Sequence, residues 1–256
     1  MTVDELLVAV TDWATGRADV RGAALVGSQA RRESPADEYS DVDVVIFADE
    51  PATLLADSSW VVTFGRPLLS FLEPTAVGGS TERRVLFEHG LEVDFSVFPT
   101  TSVAALATEP GAAATLARGY RILYDELGLE ELFGTLGPSL EQPARELSEI
   151  AQDFWYHAIW AAKKWRRGEA IVARSCLESH LKPLLLEADR LRTAGDTWHG
   201  SRFAEKWASA EVVDAWWQAT ARTPDELPAA LVRVCDTFSE LSSHEVARSR
   251  LEELLA

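Results

Sequence analysis

The chain has 256 residues and a mass of 28.1 kDa, which suits one large domain or two small ones. Its composition is 47% hydrophobic and 25% charged with a mean hydropathy of -0.05, which excludes the disordered and membrane-embedded classes. The net charge of -17 argues against binding to nucleic acid, because neutralising phosphates requires clustered Lys and Arg.

The first half of the chain alternates short β-rich runs with turns and helices. A helix is predicted over residues 5–15, ended by Gly16. Strands are predicted at residues 22–28, 42–47, 60–64, 67–72, 83–88, 91–98 and 120–125. His89 and Gly90 separate two of these strands, which predicts a two-residue hairpin whose glycine takes a positive φ. We therefore expect a mixed β-sheet domain over residues 1–137.

From about Pro143 the apolar residues recur at intervals of three and four, which predicts an α-helical bundle domain over residues 143–256. A long helix is closed by Gly168, and the next is kinked at Pro183, which has no N–H to donate. Shorter helices are predicted over residues 201–219, 225–241 and 243–255, the first broken near Ser209. The segment 135–143 is the predicted linker between the two domains. A β-sheet domain followed by a helical domain predicts the α+β fold class.

Cysteine and histidine give no metal-binding signal, and the chain shows no targeting signal. The two cysteines, Cys176 and Cys235, form no CxxC, so neither a disulfide scaffold nor a structural zinc site is expected. The five histidines show no metal spacing: His89, His157, His180, His199 and His244. The N-terminus carries early acids, and no apolar run approaches the ~20 residues of a membrane span. We expect a cytoplasmic protein with no membrane partner.

The segment LVGSQARRESPADEYSDVDVVIF concentrates chemistry at two strand ends. One strand ends in Gly27 and Ser28, twelve residues follow, and Asp41 and Asp43 open the next strand. Because side chains alternate along a strand, the two carboxylates share a face. Carboxylate oxygens beside the amides and hydroxyl of a Gly-Ser turn are what holding Mg²⁺ on a triphosphate requires.

A third carboxylate comes from Asp94, flanked by apolar Val93 and Phe95, with Glu92 on the same face. Three acids on adjacent strands repel one another unless a cation lies among them. The pattern therefore favours a metal site over a solvated acidic face.

The order of these motifs, and of further blocks at residues 58–74, 83–103, 153–173 and 200–217, resembles the aminoglycoside 6-adenylyltransferase (streptomycin adenylyltransferase) family of the nucleotidyltransferase superfamily. The matching positions are Trp60, Phe64, Gly65, Leu86, Phe87, Asp94, Phe154, Trp155, Lys163, Arg202 and Phe203. The chain departs from the family pattern in a shortened segment at residues 196–201. This difference bears on the identity of the acceptor more than on the type of reaction.

The resemblance implies a nucleotidyltransferase-fold sheet domain and a role for each motif residue. Gly27 and Ser28 would hold the phosphates of ATP or another nucleoside triphosphate, and Asp41 and Asp43 would bind Mg²⁺. Asp94 would complete the metal site or act as general base, with Glu92 as the alternative base. The implied reaction is transfer of AMP to a hydroxyl, with release of pyrophosphate.

Lys163 and Arg167 lie four residues apart on one helix face and could meet the triphosphate between the two domains. The alternative is a solvated helix end, where basic residues favour the dipole. The match to the family favours a binding role for Lys163.

The implied acceptor is a small cationic molecule, such as the aminoglycoside streptomycin. Residues 1–140 carry 22 acidic and 9 basic side chains, against 19 and 15 in residues 141–256, so an acidic site fits a cation. Glu88, Asp153 and Glu178 are candidates for pairing with it, with ordinary surface acids as the alternative. Other possible functions are a toxin or antitoxin component modifying protein or RNA, and a nucleotide-binding regulator without turnover. The expected state is a monomer or homodimer.

Overall fold

The computed structural model describes residues 1–31, 36–106, 108–136, 145–193 and 201–256. The chain divides into two compact units, a sheet unit Met1–Glu141 and a helical unit Gln142–Ala256. Most of the predicted linker falls at residues 137–144, outside the described ranges. Across those ranges, no helix has both the length and the apolar character needed to cross a bilayer.

The sheet unit is built on six strands, β1 Val20–Val26, β2 Val42–Ala48, β3 Pro67–Pro74, β4 Thr81–Phe87, β5 Glu92–Pro99 and β6 Arg121–Asp125. Their order is β3-β4-β5-β2-β1-β6. Strands β2 and β5 are parallel, and the other neighbours are antiparallel. The predicted mixed sheet and α+β class are confirmed, and the two acid-bearing strands lie side by side.

The strand predicted at residues 60–64 is wrong: Ser59–Phe64 forms a 3₁₀ helix. Trp60, Val61 and Phe64 are buried while Val62 is 62% exposed, which is a helical rather than an alternating pattern. Asp57 accepts hydrogen bonds from the Ser59 backbone N–H and hydroxyl, which favours a turn over an extended strand. The β-branched and aromatic composition of the run misled the sequence analysis.

The β4–β5 hairpin is confirmed, but its loop has three residues rather than two. The Phe87 N–H donates to the Leu91 carbonyl, and the Gly90 N–H donates back to the Phe87 carbonyl. Gly90 has φ 91°, the left-handed conformation typical of such loops. The extra loop residue shifts the pairing by one position, so that Arg84 lies opposite Asp94. A two-residue loop would have placed Val85 there.

The α-helices described in the sheet unit are α1 Val3–Thr15, α2 Pro51–Ala56, α3 Val103–Leu106, α4 Pro110–Arg118 and α5 Leu129–Gly134. Helix α1 starts at a capping box in which the Thr2 hydroxyl accepts from the Glu5 N–H, and it ends at Gly16 as predicted. Its apolar stripe packs into the core cluster that contains Val44 and Phe95. Since side chains alternate along β2 and β5, their aspartates project on the opposite face.

The helical unit contains α6 Leu147–Arg166, α7 Ala170–Cys176, α8 Lys182–Thr193, α9 Ala204–Trp207, α10 Ala210–Gln218, α11 Leu227–Leu241 and α12 Glu245–Leu255. Phe154 of α6 stacks on Phe238 of α11 with ring centroids 3.8 Å apart. A π-helical turn, Leu177–Leu181, joins α7 to α8 just before Pro183, where an interruption was predicted. The predicted break at Ser209 is confirmed, and the buried Asp189 carboxylate accepts from the Ser209 N–H at 2.7 Å.

Candidate functional site

One row of side chains crosses the middle of the sheet. Asp43 on β2 lies opposite Asp94 on the parallel strand β5, and Asp94 lies opposite Arg84 on β4. Asp41 is two residues before Asp43, just ahead of β2. Carboxylate oxygens of Asp41, Asp43 and Asp94 all lie within 4.8 Å of one another. We call these three residues the carboxylate triad.

The turn that follows β1 lies directly against this triad. Val26 pairs with Asp43, and the next residue, Gly27, has φ 67°. A Cβ at Gly27 would overlap Asp43 Oδ2, so only glycine lets the backbone approach this closely. The Ser28 hydroxyl oxygen is buried and has no hydrogen-bond partner among the described residues. An unsatisfied buried hydroxyl beside a glycine turn is suited to a polar ligand.

Burial perturbs the carboxyl group of Asp94. Its pKa is raised from 3.8 to about 6, first because the side chain is buried. The Arg84 guanidinium, with Nη2 3.1 Å from Asp94 Oδ2, opposes this rise in pKa, while the negative charges of Glu82 and Asp41 add to it. The site thus concentrates negative charge in a poorly solvated place, which favours a bound cation.

The structure brings together five of the residues predicted for the site, namely Gly27, Ser28, Asp41, Asp43 and Asp94. Glu92, the alternative base, is exposed at the start of β5.

Lys163 and Arg167 are exposed at the end of α6 in the helical unit. Arg167 Nε lies 3.0 Å from a Glu169 carboxylate oxygen. Their contact with a triphosphate stays a prediction.

Sequence analysis missed Arg84, which carries positive charge to the triad. Its Nε also lies 2.5 Å from Glu73 Oε1 and 3.1 Å from Glu82 Oε1, so it links strands β3, β4 and β5. The sequence does predict the β4–β5 hairpin. However, pairing its strands across a two-residue loop does not place Arg84 opposite Asp94.

A second cluster lies in the helical unit, where the histidines were predicted to lack metal spacing. Folding nevertheless brings two of them together with an acid: ligand atoms of Asp153, His157 and His180 lie within 4.8 Å of one another. His157 and His180 are 23 residues apart, and only the folding of two helical segments against each other brings them together.

The three acids suggested for pairing with an acceptor already have partners within the chain. Glu88 pairs with Arg66, Asp153 with Arg145, and Glu178 with Lys182. A carboxylate has several acceptor sites, so these pairs neither assign nor exclude a role in binding an acceptor.

A mixed sheet that presents three carboxylates on neighbouring strands beside a Gly-Ser turn defines the nucleotidyltransferase class. The chain belongs to the streptomycin adenylyltransferase family, whose pattern matches residues 1–252. The resemblance predicted from the sequence is confirmed.

The individual relatives have low sequence identity to this chain. An aminoglycoside 6-adenylyltransferase of Bacillus subtilis (strain 168) is 23% identical over 190 residues, which cover 71% of this chain and 66% of the relative, just under two thirds. A crystal structure of an aminoglycoside 6-adenyltransferase from Bacillus subtilis aligns over 100% of this chain and 92% of that one, at 16% identity and a TM-score of 0.38. A spectinomycin adenyltransferase from Enterococcus faecialis, solved with ATP and spectinomycin, aligns over 99% and 98% at 11% identity and a TM-score of 0.34.

Proposed function

We propose that this protein transfers AMP from ATP to a hydroxyl of a small cationic acceptor, an aminoglycoside such as streptomycin, and releases pyrophosphate. The observation that carries this proposal is the carboxylate triad, with its oxygens within 4.8 Å of one another beside the Gly27-Ser28 turn. Membership of the streptomycin adenylyltransferase family supports the same reaction class. Such a protein would confer antibiotic resistance.

The triad fits Mg²⁺ by its donor chemistry. Asp41, Asp43 and Asp94 offer only hard oxygen ligands, which Mg²⁺ prefers, and they carry more negative charge than Arg84 balances. These three residues would hold the ion. When bound, Mg²⁺ supplies neutralisation of the charge that develops on the phosphate oxygens.

The chain's own residues would position the triphosphate. Gly27, whose lack of a Cβ lets the turn lie against Asp43, would present backbone N–H groups to the phosphates. The Ser28 hydroxyl is free to donate to a phosphate oxygen. The sequence resemblance assigns Lys163, and with it Arg167, to triphosphate binding, and this assignment stays a prediction.

The reaction needs one base to take the proton from the hydroxyl that is modified. The acceptor's hydroxyl oxygen forms a bond to the α-phosphorus, the bond from that phosphorus to the bridging oxygen breaks, and pyrophosphate leaves with the electron pair. We assign the hydroxyl proton to Asp94 rather than Glu92, because Asp94 lies in the triad's row whereas Glu92 is exposed two residues before it. In-line positioning and charge neutralisation supply the rest of the rate.

A direct test is to incubate the full chain with ATP, Mg²⁺ and one acceptor at a time, namely streptomycin, spectinomycin or kanamycin. Pyrophosphate release and a product one AMP residue heavier than the acceptor are the expected results. Asp43→Asn is the matched inactive control. Pyrophosphate release that is the same with and without each acceptor, or none with any of them, would overturn the proposal and favour the alternatives of a protein- or RNA-directed enzyme or a regulator.

A further inference from the structure

Three side chains of the helical unit, none of which has a role in the proposed reaction, lie close together. Asp153 and His157 lie one turn apart on α6, and His180 comes from the π-helical turn. His157 Nδ1 and His180 Nε2 each lie 2.8 Å from Asp153 Oδ1, and the two nitrogens are 3.1 Å apart. Three ligand atoms therefore face a single point. We call these residues the imidazole cluster.

The same three atoms are also within hydrogen-bond distance of one another. His157 Nδ1 is 3.0 Å from the Asp153 carbonyl oxygen as well, and both ring nitrogens lie close enough to Asp153 Oδ1 to donate a proton to it. Deprotonated, each ring nitrogen and Asp153 Oδ1 would instead offer a lone pair to one cation.

The dimensions suit a small divalent ion. Zinc bonds to His nitrogen and carboxylate oxygen at about 2.0–2.2 Å, so tetrahedral ligand atoms are separated by about 3.3–3.6 Å. The observed separations of 2.8–3.1 Å need to open by about 0.2–0.8 Å, which side-chain rotation can supply. The side chains are 23–39% exposed, which leaves an entry path and room for water at the remaining positions.

The carboxylate is also oriented by a neighbour. Arg145 Nη2 lies 2.9 Å from Asp153 Oδ2 and so holds one oxygen, while the other faces the two imidazoles. Ligating carboxylates in metal sites commonly have such a hydrogen-bonded partner.

The π-helical turn is an independent indication of a site. It contains His180 and inserts an extra residue per turn relative to an α-helix, which rotates the following side chains by about 100°. Single π-helical turns occur frequently at functional sites. The position of His180 against α6 depends on this local geometry.

We propose that Asp153, His157 and His180 bind a divalent d-block cation, with Zn²⁺ the expected ion, and that the ion fastens α6 to the π-helical turn. Two imidazoles and one carboxylate match the ligand preference of zinc, whereas the all-oxygen triad of the sheet unit matches that of magnesium.

The experiment is calorimetric titration of ZnCl₂ into the chelator-treated full chain, with thermal unfolding in parallel. We expect one tight equivalent and a rise in Tm. His157→Ala and His180→Ala should each weaken this binding by at least about 10²-fold, since even outer-shell losses cost 10–100-fold. His180→Cys, which replaces one zinc ligand with another, should retain it. His244→Ala is the control, since it removes a histidine of the same unit outside the cluster.

Asp43→Asn separates this site from the carboxylate triad. If the tight equivalent survives both Asp43→Asn and His180→Cys but not His180→Ala, the proposal stands. If zinc binds equally well to wild type and His180→Ala, or if Asp43→Asn alone removes it, the proposal is overturned. Loss of binding in both His180→Ala and His180→Cys, with circular dichroism unchanged, also overturns it. Cysteine is itself a zinc ligand, so His180→Cys should have retained the binding.

Discussion

The carboxylate triad and the imidazole cluster each gather three potential ligands, but they do so by different means. In the sheet unit, pairing of β2 with β5 sets Asp43 beside Asp94, so the strand register builds the site. In the helical unit, one pair comes from a single helix turn and the third residue from a π-helical turn. The donor atoms differ as well, oxygen alone against nitrogen with oxygen. The same chain thus offers sites suited to different cations.

The largest expected effect is from Asp43→Asn, which should lower adenylyl transfer by about 10²–10⁴-fold, because removing one anionic ligand leaves Mg²⁺ poorly held. Asp49→Asn makes the same change at an exposed position one residue after β2 and is the matched control. Initial rates of pyrophosphate release measure the effect, and circular dichroism checks the fold. Near wild-type turnover in Asp43→Asn would show that the carboxylate triad is not the metal site of the reaction.

Asp94→Ala should cost more turnover than Glu92→Ala. A positioned base contributes about 10²–10⁴-fold, and Asp94 also faces the other two carboxylates, whereas Glu92 is exposed. Steady-state kinetics of both variants with saturating ATP would decide. A larger loss in Glu92→Ala would transfer the role of base to that residue.

Gly27→Ala should lower turnover by about 10–100-fold, since a Cβ there overlaps Asp43 Oδ2 and φ is 67°. Gly79→Ala is the matched control, with φ 63° and open space around the added carbon. Both variants carry backbone strain, so both should lower Tm. Equal activity losses in the two would show that strain, rather than access to the carboxylates, limits the reaction.

The smallest expected effect is the pH dependence that Asp94 gives to the free energy of unfolding. The pKa of Asp94 is about 6 in the folded protein, against 3.8 ordinarily, so the folded state binds this proton more tightly than the unfolded state. Its contribution to the free energy of unfolding is therefore present below about pH 4 and is lost as the pH rises through about 6, by on the order of 1–3 kcal/mol. Urea unfolding of the metal-free protein should show this slope, and Asp94→Asn should flatten it. Identical slopes in both proteins would contradict the shift.

Much of the carboxylate triad was predictable because strand alternation has a period of two and the acids are close to strand ends. The contribution of Arg84 was not, since pairing depends on one loop residue whose conformation follows from Gly90 rather than from the strands. The 3₁₀ helix at Ser59–Phe64 was missed for a similar reason: local side-chain hydrogen bonds overrode composition.

The imidazole cluster was beyond sequence analysis because no short spacing joins His157 to His180. Their approach follows from packing of the π-helical turn against α6, and a π-helical turn has no reliable sequence signal other than the nearby Pro183. Asp153 and His157 do have the spacing of one helical turn, which is too common to indicate a site.

The three-residue loop between β4 and β5 gives the length of a surface turn control over the charge of a buried site. Removing one of its residues would move β4 along β5 by one position and exchange the guanidinium opposite Asp94 for the isopropyl group of Val85. A deletion at the surface would then remove the positive charge beside Asp94 and also turn the buried Val85 and Phe87 side chains to the opposite face of the sheet. For anyone redesigning this chain, loop length belongs among the variables that set its electrostatics.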